Sequence, residues 1–259
     1  MAAPSAGRDP WQRRRLACVG RYLPPTLADQ VVVDAALQWS SSVQVLVLTS
    51  RHDPIDPLLR VAWLQDMAPS AGIVPVQAEP GPDGGGELVE LRELLASSDL
   101  VRPEGLVGPG LRDRALAAAL GLPYLPVDTA PWEVDRRDVL ARPLAHWAAL
   151  PGPVRAHYLV RVVVMGPEST GKTTLASDLS AHFATTWTSE YLRLYLDAKA
   201  SACEPDDLPL VVAGHVAVEA AAARRATRVL FCDTDPLMTA VYSRFYYGHL
   251  PEWLDQAAS

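Results

Sequence analysis

The sequence predicts an α/β protein built from two successive parallel-sheet units. Short apolar runs alternate with segments of helical spacing, several of the runs are rich in β-branched residues, and one run leads directly into a glycine-rich phosphate-binding pattern. Repeated strand–helix units favour a parallel, doubly wound sheet, because a helix must cross back over the sheet between parallel strands. The 259 residues suffice for two modest domains.

The first half of the chain shows the alternation in order. Apolar runs predict strands at 16–20, 43–48, 72–76 and 124–127. Helical spacing predicts helices over 26–39, 57–67, 87–97 and 112–120, and the glycine-rich stretch 80–86 predicts a loop. A further helix is predicted over Arg142–Leu150, with Pro143 in its first turn and Pro151-Gly-Pro153 ending it. We therefore expect one domain over 16–150 and another over 158–259.

The second half is predicted to contain about three strands. Val160–Met165 is an apolar strand, a second strand ends near Thr188, and Val229–Asp233 is the third. Helices are predicted over 174–183 and from Pro236 onward.

Composition excludes several classes of function. The chain is 49% hydrophobic and 20% charged, with a net charge of −7. This balance argues against a protein that binds nucleic acid or an anionic membrane through bulk charge. No uninterrupted apolar run approaches the length of a membrane span, and no signal peptide is indicated. Three separated cysteines and six dispersed histidines lack metal-ligand spacing, so we expect idle thiols in a reducing cytoplasm. The preference for arginine over lysine suggests the genome of a GC-rich bacterium.

A phosphate-binding loop is the most specific motif. The pattern G-x-x-x-x-G-K-[ST] follows an apolar strand and opens a helix, which is the context that its chemistry requires. Backbone N–H groups of such a loop point at phosphate oxygens, Lys172 is expected to bind the β- and γ-phosphates, and Thr173 to ligate Mg²⁺. The sequence therefore predicts a site for ATP and Mg²⁺ formed by Gly166, Pro167, Glu168, Ser169, Thr170, Gly171, Lys172, Thr173 and Thr174.

Lysine occurs only at Lys172 and Lys199, whereas arginine is plentiful. The phosphate-binding loop keeps its lysine because a compact ammonium on a flexible stem is not replaced by a planar guanidinium.

Two carboxylates follow the third strand of this half. Ligands of an open α/β sheet gather at the carboxyl ends of its strands, so Asp233 is expected beside the phosphate-binding loop. Either Asp233 or Asp235 is a candidate to hold Mg²⁺ or to accept the proton of an attacking hydroxyl. The alternative for Asp235 is an N-cap of the helix that starts at Pro236.

A third cluster lies after the second strand of this half. Glu190, Tyr191 and Arg193 are candidates for contact with substrate or phosphate, and Glu190 and Arg193 share a helix face if a helix starts there. The alternative is a surface ion pair of little consequence.

These motifs together resemble the NadR family of bacterial NAD metabolism, which joins a nicotinamide-nucleotide adenylyltransferase domain to a ribosylnicotinamide kinase domain. The resemblance runs from about Ala17 to the C-terminus and is carried by "GPESTGKTT", by "SEYLRLYL" and by "FCDTDPLMTAVYSRFYYGHLPEWL". It implies a Rossmann-like nucleotidyltransferase fold followed by a P-loop kinase fold. It also implies that Lys172, Thr173, Asp233 and Asp235 have phosphate and metal roles, and that Glu190, Tyr191 and Arg193 lie on the substrate side.

The first domain departs from the family where the chemistry lies. The family's G-x-[FY]-x-P-x-H-x-G-H signature is matched at Gly20, Tyr22 and Pro24, but its histidine positions hold Thr26 and Asp29. A carboxylate repels a polyphosphate that an imidazolium would attract. The family's later Ser-x-Thr-x-x-Arg signature falls on Asp135, Arg137 and Leu140, and Arg60, Trp63 and Leu64 are assigned packing roles. We expect adenylyl transfer to be lost.

The resemblance also implies that the family's later lid, with basic residues for the γ-phosphate, is not found before Ser259. Without such a lid, ATP binding is expected more than efficient phosphoryl transfer.

Three functions remain open on the sequence. The first is ribosylnicotinamide kinase-type transfer from Mg-ATP to nicotinamide riboside. The second is a non-catalytic module that senses nucleotides, and the third is a P-loop kinase or ATPase with another acceptor.

Overall fold

The computed structural model describes residues 11–79, 89, 91–93 and 102–257. These residues form a mixed α/β structure that divides after Val154 into two compact units, each with its own parallel sheet. None of the described helices combines the length and the apolar character needed to cross a bilayer.

The first unit is built on a five-stranded parallel sheet with the order β3-β2-β1-β4-β5. The strand order reverses between β1 and β4, which is the point where open α/β sheets bind ligands. The strands are β1 (Arg15–Gly20), β2 (Ser42–Thr49), β3 (Gly72–Gln77), β4 (Gly105–Gly108) and β5 (Tyr124–Pro126). The helices are α1 (Leu27–Trp39), α2 (Pro57–Met67), α3 (Leu111–Leu120) and α4 (Arg136–Ala141).

Both faces of this sheet are buried. Along β2, Val45 and Val47 pack into one hydrophobic cluster with residues of α1 and α2, whereas Leu46 and Leu48 pack into another with Ala117 of α3. Successive side chains of a strand point to opposite faces, so a strand covered by helices on both sides needs a continuous apolar run. This requirement explains why the apolar runs in the sequence identify the strands.

Most elements predicted in this half are confirmed, with ends that differ by one or two residues. The strand β4 was missed, because its Gly-Leu-Val-Gly sequence is short and bounded by glycines that resemble a turn. The loop predicted at 80–86 lies outside the described residues. So does most of the helix predicted over 87–97, although its described residues, 89 and 91–93, are helical.

The helix predicted over Arg142–Leu150 is wrong. Helix α4 instead ends before Arg142, which has φ −138° and ψ 60°, because the residue that precedes a proline is disfavoured in the helical region. Residues Trp147–Ala149 form only a short 3₁₀ turn. The Pro-Gly-Pro stretch that was expected to end a helix leads into one, α5 (Gly152–Tyr158), where Pro153 lies in the first turn.

Arg60 on α2 is a hydrogen-bond centre and not simply a packing residue. Its side chain is fully buried, its Nη1 donates to the carbonyl oxygens of Arg21 (2.6 Å) and Leu48 (3.0 Å), and its Nη2 donates to Asp53 Oδ2 (2.7 Å). Arg21 Nη2 donates to the other oxygen of the Asp53 carboxylate at 2.7 Å. The network holds in place the chain segments that follow β1 and β2, at the carboxyl edge of the sheet.

The second unit has a three-stranded parallel sheet with the order β6-β8-β7. The strands are β6 (Val160–Val164), β7 (Trp187–Thr188) and β8 (Val229–Asp233). The helices are α6 (Lys172–His182), α7 (Tyr191–Lys199), α8 (Leu208–Ala223), α9 (Pro236–Tyr247) and α10 (Glu252–Ala257). The three strands and the helices that follow β6 and β8 confirm the prediction from the sequence.

The aromatic residues near the end of the chain are divided between core and surface. Tyr247 packs against the buried cluster of Leu208, Val212, Ala240 and Leu254, and its hydroxyl donates to the carbonyl oxygen of Cys203 at 2.7 Å. Phe245 and Tyr246, by contrast, are 78% and 62% exposed.

The second lysine of the chain has a structural partner. Lys199 at the end of α7 donates from Nζ to Asp207 Oδ2 (2.6 Å), and the Tyr195 hydroxyl donates to Asp207 Oδ1 (2.6 Å). The backbone N–H of Glu204 also donates to this carboxylate, at 2.7 Å. These three donors, of which Lys199 acts most strongly, lower the pKa of Asp207 to about 2. The carboxylate therefore ties the start of α8 to the end of α7.

We expect this contact to make the free energy of unfolding decrease as the pH is lowered. A carboxyl group whose pKa is lower in the folded chain contributes its full stability above its unfolded pKa, 3.8 for Asp207. This contribution is lost as the pH falls from about 4 towards 2. Urea unfolding at several pH values should show a stability decrease in this window that Asp207→Asn reduces. An equal decrease in the parent and in Asp207→Asn would contradict the assignment, and Asp206→Asn is the control.

Candidate functional site

The phosphate-binding loop connects β6 to α6. Ser169 (φ 60°) and Gly171 (φ 84°) both have left-handed backbone conformations, and Gly171 is the N-cap of α6. Left-handed residues in such a loop turn successive N–H groups toward one side, which forms a concave binding site for an anion. The positive end of the helix dipole adds to this attraction. The predicted loop therefore has the backbone form that phosphate binding requires.

Lys172, in the first turn of α6, lies over this loop. Its Nζ donates to the carbonyl oxygen of Pro167 at 2.8 Å, and the Thr170 hydroxyl donates to the same oxygen at 2.8 Å. The ammonium group is thus held at the loop through the carbonyl oxygen of Pro167. This places two sources of positive potential, the lysine and the helix N-terminus, at one point.

Thr173 and Asp233 meet next to the lysine. Strand β8 pairs with β6 so that Asp233 lies opposite Val164, the last residue before the loop. The Thr173 hydroxyl donates to Asp233 Oδ2. Asp233 is only 1% exposed, and its other oxygen, Oδ1, has no hydrogen-bond partner.

This pair fits a magnesium ion. Mg²⁺ binds hydroxyl and carboxylate oxygens and retains several waters, and a buried carboxylate oxygen with no donor is costly unless something binds it. Within the described part of the chain, no cluster of three or more His, Cys, Asp or Glu side chains is placed to hold a metal. Thr173 and Asp233 remain the residues that fit the predicted ion.

Asp235 has a structural contact of its own. Its Oδ1 accepts a hydrogen bond from the backbone N–H of Met238 at 3.1 Å, so it is the N-cap of α9. The intervening residue, Thr234, has φ 78°, an uncommon conformation for a non-glycine residue. Such backbone strain is found at functional sites, where surrounding structure holds it in place. Capping uses one oxygen of the Asp235 carboxylate.

The three residues predicted on the substrate side are not equivalent. Glu190 is the N-cap residue of α7 and pairs with Arg193 at 3.2 Å, and the Arg193 side chain is 63% exposed. The Tyr191 ring lies against Gly214 of α8, so close that a Cβ at Gly214 would meet the ring at 2.1 Å. Tyr191 therefore anchors α7 on α8. Glu190 and Arg193 lie at the start of α7, after the carboxyl end of β7.

Sequence reasoning missed Tyr242 as a residue near the site. Burial and the charges of Glu190 and Glu168 raise the pKa of Tyr242. The signal was present in the helical spacing of α9, because Tyr242 lies one turn after the buried Met238 and so shares its inward face.

The first unit has a cavity of about 500 Å³ where the strand order reverses. Asp29, at a position where the family has a histidine, accepts hydrogen bonds from the Thr26 N–H (2.8 Å) and hydroxyl (2.9 Å) at the start of α1. Arg136 binds the same carboxylate with two hydrogen bonds, of 2.9 and 2.7 Å. Three residues occupy the positions of the family's later Ser-x-Thr-x-x-Arg signature. Of these, Asp135 caps α4, and Arg137 and Leu140 line the cavity.

Comparison with known proteins gives consistent matches. Residues 161–259 match a family model described as an AAA domain. The chain is 32% identical over 119 residues to the trifunctional NAD biosynthesis/regulator protein NadR of Salmonella typhimurium strain LT2, and equally to that of Escherichia coli strain K12. The matched region is 44% of this chain and only 29% of each relative.

Solved structures extend the likeness to nearly the whole chain. A NadR protein in complex with NAD and AMP-PNP superposes with a TM-score of 0.65 at 21% identity, covering 95% of this chain and 76% of that one. A NadR protein in complex with NR gives a TM-score of 0.66 at 20% identity, covering 96% and 76%. At these identities the structures establish the shared fold.

The fold and the phosphate-binding loop together define an α/β nucleotide-binding protein of the P-loop class. Within that class, the chain is similar in sequence to NadR proteins over 119 residues, and it shares the fold of solved NadR structures.

The isolated Asp233 oxygen leads to a prediction about stability. Asp233→Asn removes a buried charge whose Oδ1 has no partner, so the ligand-free protein should be unchanged or more stable by about 1 kcal/mol. The same change should remove the extra stability that Mg²⁺ adds in the presence of ATP. Thermal melting with and without Mg-ATP measures both effects. Asp178→Asn, an exposed change on α6, is the control, and a large loss of ligand-free stability in Asp233→Asn would contradict the interpretation.

Proposed function

We propose that the second unit is a kinase of the ribosylnicotinamide type, which transfers the γ-phosphoryl group of ATP to the 5′-hydroxyl of nicotinamide riboside. The observation that carries the proposal is the Thr173–Asp233 contact beside Lys172, with a buried carboxylate oxygen left without a partner. The complexes of related NadR proteins with AMP-PNP and with NR support a site for both reactants in this family. We also propose that 16–150 and 158–259 are the two functional domains.

Different residues of the site are proposed to bind Mg²⁺ and the phosphates. Mg²⁺, held through Thr173 and Asp233, would supply positive charge at the β- and γ-phosphate oxygens. Lys172 and the N–H groups of 166–171 bind the same phosphates from the loop side. The developing charge of the transferring group therefore forms where preorganised positive groups already lie, which is the main way that such enzymes lower the barrier.

The chemical step needs a group that accepts the hydroxyl proton. The acceptor oxygen forms a bond to the γ-phosphorus, the bond to the bridging oxygen breaks, ADP leaves, and the hydroxyl proton moves to a carboxylate. Asp233 is engaged by Thr173, whereas Asp235 lies two residues further on and uses one oxygen to cap α9. We therefore assign Asp235 as the base.

The acceptor is proposed to lie between α7 and α9. Glu190 offers a carboxylate that is able to accept hydrogen bonds from ribose hydroxyls, and Tyr242 offers an aromatic face nearby. The Tyr246 ring lies beside that of Tyr242, tilted by 37° with ring centroids 5.9 Å apart, and extends this aromatic surface. An electron-rich ring suits a cationic nicotinamide ring, since cation–π attraction adds to apolar contact.

The first domain is proposed to have lost adenylyl transfer. Where an imidazole would stabilise ATP phosphates, Asp29 presents a carboxylate that is already bound to Arg136. The second candidate function, a non-catalytic module that senses ligands, is favoured by the cavity that nevertheless remains in this domain. Turnover of nicotinamide riboside separates the two functions, because a sensor would bind ligands without producing the mononucleotide.

The assigned base can be tested without disturbing the fold. Asp235→Asn keeps a good N-cap for α9 but cannot take a proton, so the kcat for phosphorylation of nicotinamide riboside should fall by about 10²–10⁴-fold while stability is retained. Asp235→Ala should lose a similar factor in kcat and in addition about 1 kcal/mol of stability. The measurements are the formation of the mononucleotide and of ADP, and chemical denaturation. Full activity in Asp235→Asn would exclude this base, and an inactive parent protein would exclude the kinase.

A further inference from the structure

The cavity of the first unit has the position and size of a ligand site. It lies at the carboxyl ends of β1 and β4, between the N-termini of α1 and α3, where the strand order reverses. Ligands of open α/β sheets, nucleotides in particular, bind at this point. A volume of about 500 Å³ lies within the usual range for small-molecule sites.

The place where a phosphate would bind is filled by the protein itself. In this topology the phosphate is held at the N-terminus of the helix that follows β1. Here the Asp29 carboxylate lies in the first turn of α1, accepts the N–H of Thr26, and receives both Nη atoms of Arg136. The Asp29 carboxylate therefore already binds both the start of α1 and the guanidinium of Arg136. A phosphate in this place would have to displace that carboxylate or lie against it.

The other arginines around the cavity do not restore an anion site in its interior. Arg21 is bound to Asp53 at 2.7 Å, and Arg112 is 53% exposed and lies 3.8 Å from Asp113. Arg137 is exposed at the start of α4. Charges at exposed positions are screened by water, so they act more weakly on a ligand than the largely buried Asp29 does.

The floor of the cavity is apolar, and the carboxyl group of Asp113 lies beside it. Cys18, Val19, Tyr22 and Val107 are buried there, and Asp113 is 8% exposed. Burial, together with the charges of Asp113 and Asp29, raises the pKa of Cys18 to about 12, so the thiol is neutral and both carboxylates act on the floor. A ligand that fills this space needs apolar rings and hydrogen-bond donors, and gains nothing from added negative charge.

We propose that this cavity binds a nucleoside without its phosphate, with the ring on the apolar floor and a hydrogen-bond donor of the ligand directed to Asp113. Asp29, by occupying Arg136 and the start of α1, makes the site reject the corresponding nucleotide. The first unit therefore distinguishes an unphosphorylated ligand from its phosphorylated form through one internal ion pair.

Calorimetry on the full chain tests this discrimination. Every protein carries Lys172→Ala, which weakens phosphate binding at the second unit and leaves the first unit untouched. The probes are two matched pairs, adenosine with AMP and nicotinamide riboside with nicotinamide mononucleotide. The variants are Asp29→Asn, which retains an oxygen able to accept the Thr26 N–H, and Asp34→Asn, an exposed change on the same helix outside the cavity.

With Asp29 present, at least one nucleoside should bind at least about tenfold more tightly than its monophosphate, and Asp29→Asn should reverse this preference by freeing Arg136 for the phosphate. Asp34→Asn should change neither affinity. Leu140→Trp, which fills the cavity, and the near-isosteric Asp113→Asn should weaken nucleoside binding, with melting curves to confirm folding. The proposal is overturned if neither nucleoside binds, if the monophosphates bind as tightly as the nucleosides in the presence of Asp29, or if binding is unchanged in both cavity variants.

Discussion

The hydrogen bond from Thr173 to Asp233 joins the first turn of α6 to the end of β8, and the nucleotide site depends on this junction. It holds a hydroxyl and a buried carboxylate next to Lys172, and leaves one carboxylate oxygen without a protein donor. Burying such an oxygen costs free energy that the sheet and helices must offset. A protein retains that cost where a ligand or ion recovers it, which is why the junction indicates function more strongly than the loop pattern alone.

The two units use the same edge of a parallel sheet in opposite ways. In the second unit the helix after β6 has a glycine, Gly171, at its N-cap, and no side chain caps this N-terminus. In the first unit the first turn of the helix after β1 carries Asp29. Arg136, which is far from Asp29 in the sequence, neutralises the charge of this carboxylate. A single acidic residue in the first turn thus changes which ligands a topologically equivalent position accepts. A shared fold predicts the position of a site, but the local charges decide its ligand.

Sequence reasoning reached the sheet strands and the phosphate-binding loop because their signals are local. An apolar run buried on two faces and a loop with fixed glycines are each specified within about ten residues. The strand β4 gave no such signal, since its four residues become a strand only by pairing with β1 and β5. The false helix at 142–150 arose from giving Pro143 the role of a helix start, whereas its effect on Arg142 was to end the preceding helix.

The contacts that define the sites are mostly long-range, and that is where the sequence was least informative. Arg136 binds Asp29 across 107 positions, and Arg60 reaches the chain segments after two different strands. Asp113 and Leu140 come together at one cavity only through the sheet order. Resemblance indicated that Asp29 was out of place for adenylyl transfer, but it gave no sign of the arginine that neutralises it.

The nucleotide site can be tested by calorimetric titration of the chain with ATP in the presence of Mg²⁺, repeated on Lys172→Ala. We expect one binding event that requires Mg²⁺ and that Lys172→Ala removes or weakens by at least about tenfold, since the lysine supplies a charge-assisted contact to the phosphates. Equal binding by the parent and by Lys172→Ala, or no binding by either, would contradict the claim that 166–174 is a working nucleotide site.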